Sequence, residues 1–199
     1  MVNKDSKRSH IMDCAKELFA SKGYHNTSIN DIIKEAGIAR GTFYLYFDSK
    51  RTVFSDILDS VVRSITSGLR PIKTGPNIGM DSVLSQLRIN LSHALGPVFN
   101  DLCLAKLISS QAESLDSEVT GKVTAFYKHI IDWLEESLEE GQELGIVRPL
   151  NSRITAVAFV GMLKGIIWSF AVIGEEMDFH ELIEELTANA SRGVMLQGI

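Results

Sequence analysis

The sequence predicts an all-α protein of about nine helices: three short helices at the N-terminus, then a larger helical bundle. Three observations carry that expectation. Apolar residues recur at three- and four-residue spacings along most of the 199-residue chain, whereas strand-like alternation is poor. Only four prolines interrupt it, so long helices have room. Hydrophobic residues make up 45 % of the chain, enough to fill a core.

The first helix is expected from about Lys7 to Lys22. Its stripe is Ile11, Ala15, Leu18 and Phe19; Lys22 suits the last turn, and Gly23 suits the left-handed position that ends a helix. The second reads SINDIIKEAG. Ser28 is a good N-cap, Asp31 three residues on faces the positive end of the dipole, and Ile29, Ile32, Ile33 and Ala36 face inward before Gly37. A third, short helix holds residues 40–46. A fourth starts near Ser49 and carries Val53, Ile57, Leu58, Val61, Val62 and Ile65. SGLRPIKTGPNIG, residues 67–79, is the clearest break. Beyond it come helices at about 81–95, 98–113, 117–142 and 152–174, and a last one from an Asp178 cap to about 196. GQELGIVRPLN forms a turn among them, and antiparallel packing into a bundle is expected.

One run, ITAVAFVGMLKGIIWSFAVI at 154–173, has about the length of a bilayer span. Lys164 sits near its middle, where insertion costs about 2.5–3.5 kcal/mol. A helix covered on most faces by partner helices is therefore expected. No apolar run follows the charges of MVNKDSKRSHIMDC, so no signal peptide is expected and a cytoplasmic location is. Cys14 and Cys103 make no disulfide framework and read as small apolar residues in a reducing compartment.

The net charge is −5, but it is unevenly spread. Residues 1–51 hold nine Lys and Arg against six Asp and Glu, a balance of +3, which leaves 11 against 19, or −8, for the rest. That pattern suits a small phosphate-facing module on an acidic body.

IIKEAGIARGTFY, two short helices about a glycine-containing turn, makes a helix-turn-helix, and its second helix would be the one to enter a major groove. At 100° per residue, Arg40, Gly41, Tyr44 and Leu45 fall on one side. Phe43 and Phe47 fall on another, where they and Ile38 can pack on the first two helices. Gly41 permits close backbone approach to a duplex, and Arg40 can reach a guanine edge in bidentate fashion. Thr42, Tyr44 and Tyr46 offer hydroxyls to phosphates. Lys50, at the start of the next helix, adds an ammonium to a helix N-terminus.

Residues 8–60 resemble the DNA-binding domain of the TetR family of bacterial transcriptional regulators. The matching features are Ala15, Leu18 and Phe19 with KGY ending helix one, then TSINDIIKEAGIARGTFYLYFDSK and a following helix. The resemblance implies phosphate contacts from Thr27, Thr42, Tyr44, Tyr46 and Lys50. It implies base-edge contacts from Arg40, Gly41 and Leu45, with Asn30 beside them. Two positions depart from the pattern. Ala39 stands where a serine often caps the recognition helix, and Thr52 stands where an acid would complete the capping box of the fourth helix.

The expected division is a helix-turn-helix DNA-binding domain at 1–50 and an effector-binding and dimerisation domain at 51–199. Paired half-sites call for a two-fold dimer, expected through the last two helices. Helix 152–174 offers Ala158, Gly161 and Gly165 with Phe159, Met162, Leu163, Ile166, Ile167 and Phe170; the last offers Leu182, Ile183, Leu186, Ala190, Gly193 and Val194. The resemblance also implies a pocket for a small apolar or aromatic effector. Its candidate lining is Phe99, Leu102, Cys103, Leu107, Phe126, Tyr127, Ile130, Trp133, Phe159, Leu163 and Trp168, with His93, Gln111 and His129 as polar groups. The fourth helix would swing like a pendulum to respace the two heads.

No metal, cofactor or catalytic site is expected. The five histidines show no metal-ligand spacing, GxSxG, P-loop and GxGxxG patterns are absent, and Cys14 reads as having no nearby histidine. The expected function is a DNA-binding transcriptional regulator, a ligand-responsive repressor on a palindromic double-stranded operator. The competing reading is an effector-independent architectural or replication-associated DNA binder.

Overall fold

The computed structural model describes residues 4–73, 78–110 and 117–195. Among these, nine α-helices follow one another: α1 (Lys4–Lys22), α2 (Ile29–Glu35), α3 (Arg40–Tyr44), α4 (Lys50–Gly68), α5 (Met80–Phe99), α6 (Leu102–Ser110), α7 (Ser117–Glu143), α8 (Ser152–Trp168) and α9 (Phe179–Val194). A π-helical turn, Ser169–Ile173, extends α8. Side-chain caps open several of them. Ser49 accepts the Thr52 amide at the head of α4, Asn151 accepts that of Ile154, and Asp178 accepts that of Glu181. Each satisfies an amide that the helix itself leaves unpaired.

The first three helices pack against α4 around four fully buried rings, Phe19, Phe43, Phe47 and Phe54. Phe19 and Phe54 meet edge-on with centroids 5.6 Å apart. This core does not stop at residue 50. Val53 to Ile65 of α4 belong to it, and Leu104 and Leu107 of α6 reach into it from the body. Asp101 fastens the same joint: one carboxylate oxygen accepts the Leu104 amide at 3.0 Å and the other accepts Lys16 of α1 at 2.5 Å. A second core joins Leu91 and Leu95 of α5 to Ile183 and Leu186 of α9, with Phe159 and Met162 of α8 leaning on it. Arg88 grips Glu184 through two hydrogen bonds, 2.7 and 2.9 Å, along the same pair of helices.

Three expectations change. A boundary was expected between residues 95 and 98, yet α5 runs through Pro97 to Phe99. Proline removes one amide, but the Asn100 amide still closes on Gly96 at 3.0 Å, and the break falls at Asn100–Asp101, where the Asp101 side chain starts α6. Second, Cys14 does have a histidine neighbour: His10, one turn earlier, lies 3.9 Å from its sulfur. Burial, then the carboxylates of Glu17, Glu35 and Asp13, push that thiol upward, so it is held protonated rather than activated.

The third change concerns 152–173, the one segment among the described residues long and apolar enough to cross a bilayer. It is not covered within the chain: only 17 % of its apolar stretch is buried. Ile154, Val157, Trp168, Val172 and Ile173 are exposed, as are Gly161 and Gly165 between them. The apolar stripe of α9, by contrast, is spent inside the chain on α5.

Candidate nucleic-acid interface and body cavity

A five-residue helix cannot hold itself together in water. Everything that positions α3 comes from outside it. The preceding α2 is set by a complete capping box: Asp31 Oδ2 accepts the Ser28 amide at 2.8 Å, and Ser28 Oγ accepts the Asp31 amide at 3.1 Å. The Ser28 hydroxyl, which donates to Asp31 Oδ2 at 2.6 Å, and then the Ser28 amide hold the Asp31 carboxyl below its ordinary range. The chain then turns at Gly37, whose φ of +62° lies in the left-handed region that a side chain disfavours. Ala39 gives α3 no side-chain cap, as its type dictates. The anchor is apolar instead: Phe43 and Phe47 enter the head core, with Ile38 packed beside them.

The opposite side of α3 faces outward. Arg40, Gly41, Tyr44 and Leu45 are all exposed, Leu45 to 75 %. Arg40 donates to Asn30 Oδ1 of α2 at 3.3 Å, and its guanidinium lies over the Tyr44 ring at 5.8 Å. Asn30, Arg40 and Tyr44 therefore form one cluster holding a planar cation toward solvent, with Thr42 and Tyr46 half-buried alongside. A guanidinium suits a guanine edge, and an apolar projection such as Leu45 suits a thymine methyl.

Gly41 is informative because nothing inside the protein requires it. Its φ is not positive, and a Cβ built there meets no atom within 4 Å. A glycine within a helix costs about 0.5–1 kcal/mol relative to alanine. Gly41→Ala is thus expected to raise the urea midpoint while lowering DNA affinity, because the added methyl stands where a duplex backbone approaches. Equal or better DNA binding by the stabilised variant would remove Gly41 from the interface.

Two expected phosphate contacts are placed elsewhere. Thr27 is 1 % exposed, and its hydroxyl donates inward to the Gly23 carbonyl at 2.8 Å, with Leu18 O at 3.3 Å. Its role is to close the α1–α2 turn. Lys50 bends back the same way. Its ammonium donates to the carbonyls of Tyr24 and Thr27, both at 2.6 Å, and lies 4.3 Å over the Tyr24 ring. Burial pushes this ammonium below its ordinary value. Lys50 is a strut between the α1–α2 turn and α4. The sequence places it correctly at a helix start but cannot show partners 23 and 26 residues upstream.

Lys50→Met should then destabilise the head by about 1–3 kcal/mol, since it takes the ammonium from the Thr27 carbonyl and leaves the Tyr24 carbonyl with the longer bond from the Thr27 amide at 3.3 Å. Arg40→Ala should leave stability within about 0.5 kcal/mol and cost about 1–3 kcal/mol in DNA binding, concentrated at one base pair. Urea unfolding combined with binding to single-base operator variants separates the two. Equal effects on stability would refute the division into strut and reader.

Behind the head, α4, α5, α7 and α8 enclose a cavity of about 550 Å³. Six of the eleven lining residues expected from the sequence are on its wall: Phe126, Tyr127, Ile130, Trp133, Phe159 and Leu163, together with His129. Five are not. Phe99 stacks on Phe170, centroids 4.5 Å apart, and sits beside Phe179. Leu107 faces the head core, Cys103 stands half-buried on the same helix away from the wall, and Trp168 is exposed on α8. Leu102 and His93 are also exposed, and Gln111 lies outside the described residues. The sequence reading missed the walls made by α4 and α5, among them Leu58, Val62, Leu87 and Leu91. Their signal was present: Leu58, Val61, Val62 and Ile65 make a stripe wider than one neighbouring helix needs.

Residues 11–57 match the family described as bacterial regulatory proteins, tetR family. An uncharacterized HTH-type transcriptional regulator of Bacillus subtilis, YfiR, is 26 % identical over 176 residues, covering 87 % of this chain and 84 % of that protein. The fatty acid degradation regulator FadR from Bacillus halodurans has the same fold, with a TM-score of 0.78 at 24 % identity over 96 % of this chain and 97 % of that one. FadR from Bacillus subtilis in complex with stearoyl-CoA gives 0.74 at 24 % identity over 93 % and 98 %.

Proposed function

We propose that this chain, whose residues 11–57 match the bacterial regulatory proteins of the tetR family, is a DNA-binding transcriptional regulator, a repressor that grips a palindromic operator as a dimer and lets go when its cavity fills. The observation that carries the DNA half is the outward face of α3, where Arg40, Tyr44 and Leu45 stand exposed around a glycine that the protein itself does not require. Arg40, Gly41 and Leu45, with Asn30, read base edges; Thr42, Tyr44 and Tyr46 hold phosphates.

One α3 offers too few contacts for a specific site, so two are needed at a fixed separation. The partner is a second copy. The exposed apolar stripe of α8, interrupted by Lys164 and by glycines that permit close approach, packs on itself about a two-fold axis. The polar outer edge of α9 flanks it. Selection of bound fragments from random DNA tests the reading. A palindrome with half-sites about 34–36 Å apart, or a multiple, is the expected result. Uniform coverage governed by salt alone would favour the architectural alternative.

The cavity supports the release half. Its volume falls within the about 300–1,000 Å³ of small-molecule sites, and its wall is mostly aliphatic and aromatic. Stearoyl-CoA in the related structure carries a long apolar chain; a hydrophobic effector of that kind suits this wall. α4 links cause to effect. Its first turns, with Val53 and Phe54, sit in the head core, and its later turns, with Leu58, Val62 and Ile65, line the cavity. A ligand that favours one position of the α4 lever shifts the spacing of the two heads; one that binds both positions equally does nothing. Titrating operator complexes with apolar compounds tests this half, and operator affinity indifferent to all of them would refute it.

A further inference from the structure

The cavity wall is mostly apolar, but it contains an ion pair that joins the body to the lever. Lys122 of α7 lies 2.9 Å from Asp59 Oδ2 of α4 and also donates to Ser55 Oγ, one turn earlier on α4. Lys122 and Asp59 both line the cavity, with Leu58, Val62, Val123 and Phe126 around them. Their side chains are 38 % and 39 % exposed, so a molecule entering the cavity can reach them. One ammonium thus fastens α7 to the helix that carries the head core. The other charged lining groups are Glu140 on α7 and Lys164 on α8, and Lys164 stands over the Tyr127 ring at 4.5 Å.

We propose that the effector is an amphiphile with an acidic head, a carboxylate or phosphate, which replaces Asp59 on Lys122. The inference rests on the cavity being the effector site and adds the chemical class and the switch. The exchange substitutes one anion for another on the same ammonium, so it is nearly balanced in itself, and burial of the tail drives it. Once displaced, the Asp59 carboxylate faces a second negative charge beside it and has lost its hold on α7. Both consequences move α4 away. A neutral hydrophobe fills the same space but leaves the pair closed. The acidic head therefore supplies what an inducer needs, a differential affinity for the two positions of α4.

The test uses the full-length protein with hexadecanoate, hexadecanol and hexadecyltrimethylammonium below their micellar concentrations. Binding is read by the fluorescence of Trp133 in the wall, and release by operator affinity. Hexadecanoate is expected to bind about tenfold more tightly than hexadecanol and to be alone in releasing operator. Lys122→Met, checked for unchanged thermal unfolding, should lose the preference and the release while still binding hexadecanol. Asp59→Asn should bind hexadecanoate more tightly than the parent yet release less, because the competing carboxylate is gone. Preference for the acid surviving in Lys122→Met, or release by hexadecanol equal to that by hexadecanoate, overturns the exchange and leaves the cavity reading intact. If none of the three binds the parent protein, the cavity reading itself fails, and this inference with it.

Discussion

Val157→Glu is expected to convert the regulator into a monomer and to lower operator affinity about 10²–10⁴-fold. Val157 is exposed on the α8 stripe of a single subunit, midway between Ile154 and Gly161. A charged residue there costs the isolated subunit little, since surface substitutions away from special features stay within about 0.5 kcal/mol. In the dimer it buries a carboxylate from each copy in an apolar seam, without a counter-charge, and that is strongly unfavourable. The loss of DNA binding then follows from connectivity, not from any change at α3. Joining two heads makes the second contact intramolecular, and a monomer forfeits that gain. The measurements are solution mass by sedimentation, helicity by circular dichroism and operator affinity. A dimeric mass with unchanged affinity would move the interface away from α8. Unchanged helicity with a monomeric mass and lost affinity is the expected outcome.

The same segment shows where sequence reading reaches its limit. Hydropathy finds an apolar helix at 152–174 because composition determines it. Hydropathy is identical whether the cover comes from the same chain, from a second copy or from lipid, and it therefore expected a helix covered on most faces. The structure leaves the stripe open. The head was more legible, since its signals are local. Ser28 and Asp31 are three residues apart, Phe43 and Phe47 are four apart, and helical geometry turns those spacings directly into a capping box and an anchoring face. Lys50 and Thr27 were less legible for the opposite reason. Their residue types suit phosphate, but their partners are carbonyls brought near by the fold, Tyr24 and Thr27 for the lysine, Gly23 for the threonine. In the body, residue type cannot separate a cavity wall from a solid core. Tyr127 and Leu163 line the space while Leu107, equally apolar, is turned to the head because α6 packs there.

Phe43→Ala should abolish operator binding without touching any group on the outward face. Phe43 is fully buried among the rings of the head core, with Phe47 6.0 Å away and Tyr44 meeting it edge-on at 5.4 Å. Deleting such a side chain costs about 3–5 kcal/mol, a large share of the roughly 5–15 kcal/mol that holds a domain folded. The loss also falls where local structure cannot compensate. α3 has five residues, no side-chain cap at Ala39 and an unneeded glycine at its second position. Its helicity depends on docking, so a cavity under Phe43 releases the helix before it unfolds the chain. Two observations distinguish this from general collapse. The cavity of the body is walled by α4, α5, α7 and α8, so the variant should still take up an apolar ligand with Trp133 fluorescence as the readout. Phe43→Leu, which keeps most of the volume, should restore part of the operator affinity. Should Phe43→Ala bind operator as well as the parent does, the anchoring of the reading helix by its buried rings would be wrong. So would the claim that this short helix owes its position to the head core.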